Sequence, residues 1–131
     1  MKKLLFFLVI TLGISACGGS NEVEIGNKTT MIVESVYDAG IVMKGEVIDA
    51  EFKLKNTGNY PLVIAEVQGS CSCTVAEKPN EPIQPGGEGV IRAKVNTDKS
   101  PVSIIAKSVR IVANTEPSVT EVIIRAKVKR K

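Results

Sequence analysis

Cys71 and Cys73, one residue apart in the segment GSCSCTV, are the side chains of this 131-residue chain whose type and spacing most directly suggest chemistry. Three uses fit the pair. In a disulfide, the two sulfurs bond to each other. In an extended strand, residues two apart lie about 6.6 Å apart at Cα with their side chains parallel. That separation sits near the upper limit for a bridge, so a Cys71–Cys73 bond needs a local bend, which Gly69 could ease. Such a bond closes almost no loop, adds little stability through the unfolded chain, and is easily reduced if strained. In a metal site, two thiolates on one side of a strand suit Cu(I) or zinc. A closed tetrahedral zinc site takes four ligands, the chain has no histidine, and Met31 and Met43 are the only thioethers beyond Met1. In a redox site, the pair lacks the Cys-x-x-Cys spacing at a helix N-terminus that lowers a thiol pKa. Lys78 is the nearest cation in sequence. A structural role leads, with copper or zinc binding and thiol redox work as the alternatives.

The compartment bears on that choice, and the N-terminus indicates it. MKKLLFFLVITLGISACGGS opens with Lys2 and Lys3, continues through a mainly apolar run over residues 4–14, and ends in small residues before Cys17. The run is too short to cross a bilayer and has the layout of a secretory signal. Ile14-Ser15-Ala16-Cys17 resembles the bacterial lipobox, in which the cysteine becomes the lipidated first residue of the mature protein. The expected organisation is a lipoprotein signal peptide over 1–16, lipidated Cys17 with a flexible tether over 17–30, and one domain over 31–131. Gly18 is not the aspartate that retains many lipoproteins at the inner membrane, which favours an outer-membrane address, on its periplasmic face or at the cell surface. In an oxidising envelope, a disulfide is the first expectation for Cys71 and Cys73.

Removing the leader lowers the formal charge from +3 to +1, because Lys2 and Lys3 go with it. A nearly neutral domain has no global attraction for nucleic acid, and the basic residues 127–131 form only a local tail. Hydrolytic chemistry has little to work with. Without histidine, a nucleophile would rely on lysine or a carboxylate pair, and Asp49 and Glu51 read as a solvated strand face. Asp38 has no partner legible in the sequence. Gly86-Gly87-Glu88-Gly89 lacks the Lys-Ser/Thr ending of a phosphate loop and reads as a turn. Tyr37 and Tyr60 make no recognisable ligand platform. No enzyme site and no cofactor are expected.

What must position the cysteines is a set of strands. VIDAEFKLKN alternates Ile48, Ala50, Phe52 and Leu54 against Asp49, Glu51, Lys53 and Lys55, the mark of a half-buried antiparallel strand. TEVIIRAKVK and GVIRAKVNT repeat the pattern, with Ile123 breaking it on an outer face that should be partly covered. PLVIAEV and KSVRIVANT are more continuously apolar and predict inner strands or strands covered on both faces. MIVESVYDAG and a short strand over 102–105 complete the set. Breakers (NTGNYP, PNEPIQPGGEG, NTDKSP, NTEP) separate them. About seven such strands predict an all-β, immunoglobulin-like antiparallel sandwich, with a small barrel as the alternative.

With the strands laid out, four motifs in order come into view. They are Asn56-Thr57-Gly58, Pro61-Leu62-Val63-Ile64, Ser70-Cys71-Ser72-Cys73-Thr74 and Pro82-Ile83-Gln84-Pro85-Gly86. From Val36 to about Val128 the chain resembles a bacterial domain-of-unknown-function family of short lipoproteins, related to Hydin-type and major-sperm-protein-type immunoglobulin-like domains. The resemblance implies a fold and an address and brings no activity. Ser72 stands where the family carries glycine, which makes positive φ between the cysteines costlier and a tight turn there less expected. Asn56-Thr57-Gly58 is expected to be a hairpin-like connection with side chains bonded to backbone. The reading for the whole is a lipid-anchored protein of a Gram-negative envelope, held to the membrane through Cys17. It would present a non-catalytic binding or scaffold domain to another envelope protein. A metal-binding or thiol-redox lipoprotein acting through Cys71 and Cys73 is the rival.

Overall fold

The computed structural model describes residues 26–131, so the signal peptide, Cys17 and most of the expected tether lie outside the described residues. Within them are eight strands: β1 Met31–Val33, β2 Val36–Met43, β3 Val47–Asn56, β4 Ile64–Gly69, β5 Thr74–Glu77, β6 Glu88–Asn96, β7 Ile104–Ala113 and β8 Val119–Lys129. They form two four-stranded sheets, ordered β1-β3-β6-β5 and β2-β8-β7-β4. This is an immunoglobulin-like sandwich, with one strand more than the sequence count.

Alternation decides which side of each strand meets the core. All five even-numbered residues of β3 from Ile48 to Asn56 are buried, and all five odd-numbered ones are exposed. Strand β6 runs antiparallel beside β3 and sets Ile91 opposite Phe52, Ala93 opposite Ala50 and Val95 opposite Ile48. The second sheet answers with Val109, Ile111, Val122, Ile124 and Val128. Phe52 is fully buried, and Tyr37 of β2 meets its ring edge-on at a centroid distance of 6.2 Å. Burying such a ring stabilises the fold by about 3 kcal/mol. On the outer face of β3, Glu51 accepts a hydrogen bond from Arg92 Nε at 3.1 Å, and Asp49 lies 3.8 Å from Lys94. Both carboxylates are thus cross-strand partners on a solvated face, as their positions in the sequence suggest.

The structure departs from the sequence reading at several elements. MIVESVYDAG is two strands, because the chain crosses from one sheet to the other at Glu34-Ser35, where the Ser35 carbonyl accepts from Ile123 N. Strand β2 then pairs with β8 in parallel, so the sandwich is not wholly antiparallel. No separate strand occupies residues 102–105; β7 begins at Ile104 and continues unbroken to Ala113. PLVIAEV yields β4, which is an edge strand, whereas KSVRIVANT does supply the inner strand β7. Strand β5 has no legible pattern, since only Thr74 of its four residues is buried.

Register places the motifs at two opposite poles. At one, Asn56 ends β3 opposite Met31, β6 begins with Glu88 opposite Lys55, and β7 ends with Ala113 opposite Ile64. The described N-terminal residues join here: Thr29 N donates to the Asn114 carbonyl, and the Asn27 carbonyl accepts from Asn114 Nδ2. At the other pole, Val47 pairs with Asn96, Met43 with Lys129, and the cysteine turn leaves β4 after Gly69.

Candidate functional site

Three of the four motifs form one polar lock at the first pole. Asn56 is fully buried and uses all of its side-chain bonding capacity. Its Nδ2 donates to the carbonyls of Tyr60 at 2.7 Å and Ile83 at 2.8 Å, and its Oδ1 accepts from Thr29 Oγ1 at 2.8 Å and Gly58 N at 3.0 Å. Thr57 Oγ1 lies 2.9 Å from Thr30 Oγ1. Gly58 is required by close approach, because a Cβ there would come within 2.7 Å of Thr30 N. The connection is not a hairpin; it carries the chain from β3 in one sheet to β4 in the other. Leu62 and Ile83 are buried and exchange backbone hydrogen bonds at 2.8 and 2.9 Å, while Ile64 is buried at the start of β4. Pro82 and Pro85 lie exposed on either side of Ile83. The Gln84 carbonyl accepts from Gly87 N at 2.8 Å around a turn with Pro85 first and Gly86 second at φ +78°, the arrangement of a type II turn. Asn114 reinforces the lock, donating to the Pro61 carbonyl at 2.9 Å and accepting from Val63 N at 2.8 Å. Nothing in the sequence marks Asn114 beyond its place in a breaker segment. These residues hold the fold, and their polar atoms are spent on one another.

The fourth motif stands alone at the opposite pole. Cys71 and Cys73 form a disulfide with Cα atoms 5.2 Å apart, shorter than extended geometry allows. The expected bend is present, with Cys71 O accepting from Thr74 N at 3.1 Å. It forms without positive φ at Ser72, so the absent glycine is no obstacle to a tight turn here. Gly69 contributes by room and not by an unusual backbone angle: a Cβ on it would come 2.6 Å from Thr74 Cβ. Thr74 therefore packs against the end of β4, buried, with Oγ1 3.5 Å from Cys71 Sγ and 3.8 Å from Cys73 Sγ. Ser70 fixes the turn to β7, since its N donates to the Ser108 carbonyl at 2.9 Å and its Oγ accepts from Ser108 N at 3.2 Å. Cys73 O accepts from Asn96 N at 2.9 Å.

Both cysteines are half-buried, and Cys73 helps line an open depression with Ser72, Asn96, Asp98 and Lys99. Lys78 is not the cation of this site: its Nζ donates to the Ile64 carbonyl at 3.1 Å, at the start of β4 and not at its cysteine end. Lys99 takes that place, from a segment legible only as a turn. Among the described residues no cluster of three or more His, Cys, Asp or Glu side chains is arranged to hold a metal ion.

A second surface feature lies on the outer face of the β2-β8-β7-β4 sheet. Ile41 and Ile104 are both paired with Lys127, one from each side, and are 61% and 75% exposed. Met43 and Val36 on β2 are exposed as well. Ile123, which broke the alternation in the sequence, is half-buried on this face.

The fold is an immunoglobulin-like β-sandwich, and comparison with known proteins agrees. Residues 30–128 match the family described as protein of unknown function, DUF1573, and the chain belongs to that family. No curated protein matches by sequence. Among solved structures, the chain is similar to a protein of unknown function from Porphyromonas gingivalis W83, at 22% identity and a TM-score of 0.68 over 76% of this chain and 47% of that one. It thus spans about half the length of that relative. It is also similar to PapD-like domain 7 of human CEP192, at 10% identity and a TM-score of 0.57 over 79% of this chain and 88% of that one. The secreted serine protease VesC of Vibrio cholerae matches at 11% identity and a TM-score of 0.59 over 76% of this chain, yet only 23% of that one. At these identities the likeness is one of fold.

Proposed function

We propose that this protein is a lipid-anchored component of a Gram-negative cell envelope whose sandwich is a non-catalytic binding module for another envelope protein. The observation that carries the reading is the pair of exposed isoleucines, Ile41 and Ile104, that flank Lys127. Single exposed apolar residues are ordinary, but Ile41 on β2 and Ile104 on β7 line one open depression across Lys127 of the intervening β8, and together with the aliphatic stem of that lysine they make a patch that water solvates poorly. The patch borders β2, an edge strand whose outer side is unpaired among the described residues and so open to strand addition. It lies toward the pole opposite the one where residues 27–30 join the domain. An acylated Cys17 would hold the chain from the joining pole and leave the patch and the cysteine turn facing outward. Several acyl chains on one residue hold a protein far more firmly than the marginal binding given by one.

The test uses the full chain expressed in a Gram-negative host with labelled palmitate, followed by crosslinking and affinity capture from membranes. Wild type incorporates label, and Cys17→Ala does not. An envelope protein is captured with wild type and lost with Ile41→Glu/Ile104→Glu, a surface change that leaves the fold within about 1 kcal/mol. Equal capture by both forms, or label that persists without Cys17, contradicts the reading.

A further inference from the structure

We propose that the Cys71–Cys73 disulfide is a redox site that exchanges with a dithiol, and that Thr74 positions the exchange by hydrogen-bonding the sulfur that leaves. Anchoring at Cys17 is not required for this.

The turn does not depend on the bond. Thr74 N to Cys71 O, Asn96 N to Cys73 O and the two Ser70–Ser108 hydrogen bonds hold its backbone on both sides. Closing a three-residue loop removes little freedom from the unfolded chain, under about 2 kcal/mol by chain entropy. A staple is therefore a poor account of the pair.

Thr74 points to the alternative. The residue is buried, and the only hydrogen-bond partners its hydroxyl has among the described residues are the two sulfurs. A disulfide sulfur is a weak acceptor, whereas a thiolate is a charged and much stronger one. The hydroxyl is thus poorly served when the pair is oxidised and well served when it is reduced, which draws the equilibrium toward reduction. Access comes through the depression beside Cys73, where the Lys99 ammonium attracts an incoming thiolate and neighbouring Asp98 offsets part of that attraction.

The exchange balances as follows. A thiolate of the incoming dithiol attacks Cys73 Sγ, forming a mixed disulfide as the Cys71–Cys73 bond breaks. Cys71 leaves as a thiolate that accepts the Thr74 hydrogen bond at the shorter of its two sulfur distances, 3.5 Å. The partner's second thiolate then attacks its own sulfur in the mixed disulfide, closing the partner's disulfide and releasing Cys73. Of the two protons given up by the partner's thiols, one ends on Cys73 and the other passes to solvent, so that Cys71 stays the thiolate held by Thr74, and two electrons pass from the partner to this chain. No low-pKa thiol at a helix terminus is needed, because the chain enters as the oxidised member.

The test equilibrates the full chain in detergent with reduced and oxidised dithiothreitol. It then traps thiols by alkylation, maps them by mass to Cys71 and Cys73, and records circular dichroism on the same samples. Wild type should be reduced while its β spectrum is unchanged. Thr74→Val should shift the equilibrium about tenfold toward the disulfide, equivalent to about 30 mV for two electrons, and Thr74→Ser should restore it. A bond that stays closed until the β spectrum is lost overturns the proposal, as does Thr74→Val equilibrating like wild type. Should Thr74→Val fail to fold, single variants decide. Cys71→Ser, which leaves Cys73 at the depression, should react faster with a chromogenic aromatic disulfide than Cys73→Ser does, and equal rates contradict the assignment.

Discussion

At the scale of single residues, Asn56 and Thr74 show two uses of a buried polar side chain. Asn56 meets two donors and two acceptors and is fully satisfied, whereas the Thr74 hydroxyl meets only sulfur among the described residues. Asn56→Ala leaves the Tyr60 and Ile83 carbonyls, the Gly58 amide and the Thr29 hydroxyl short of a partner. At about 0.75 kcal/mol for each of the four net bonds, the domain should lose about 3 kcal/mol. Thermal unfolding followed by circular dichroism should then shift downward by roughly 10–20 °C for a domain of this size. The importance of Asn56-Thr57-Gly58 is legible in the sequence, because an amide side chain and a glycine two residues apart announce a special connection. Its true partners were not, since Ile83 and Thr29 each lie 27 residues away in the chain and meet Asn56 only once the sheets have stacked. Gly69 teaches the same lesson: its glycine could be read as a bend, but its reason is space for a residue five positions on.

At the scale of elements, legibility followed alternation. Strand β3 keeps period two for its full length because one face is core and the other is water, and the sequence shows it directly. Strands β4 and β5 flank the cysteine turn as edges, where the second face is only partly covered and the pattern fades. The split of MIVESVYDAG is invisible for a related reason. A strand that changes sheets presents opposite faces to the same core, so its apolar residues fall out of one period. The parallel pairing of β2 with β8 then follows from topology, not from composition. The weight of the core rests on the centre of β3. Phe52→Ala removes a fully buried ring packed against Tyr37 and should cost about 3–5 kcal/mol, read as a lowered urea midpoint with an unchanged slope. Arg92→Ala breaks only an exposed pair with Glu51 and should change stability by less than about 1 kcal/mol in the same assay.

At the scale of the whole molecule, the chain separates what holds it together from what it offers. One pole gathers residues 27–30, Asn56, Asn114 and the Pro85-Gly86 turn into a closed hydrogen-bonded lock. The other carries the cysteine turn with its open depression, and the Ile41–Lys127–Ile104 row lies toward the same end. That polarity is what the proposed lipid-anchored binding module requires. It also explains why the fold could be anticipated while the surface could not. A core imposes period on the chain, but an exposed isoleucine leaves the same letter in the sequence as a buried one. The most direct test places a photo-crosslinking amino acid at position 41 or at position 53 of the full chain in intact membranes. Position 53 lies on the solvated outer face of β3 in the opposite sheet. A discrete crosslinked envelope protein from position 41 and none from position 53 is the result expected. Crosslinking from position 53 alone, or from neither position, would contradict a binding role for this face.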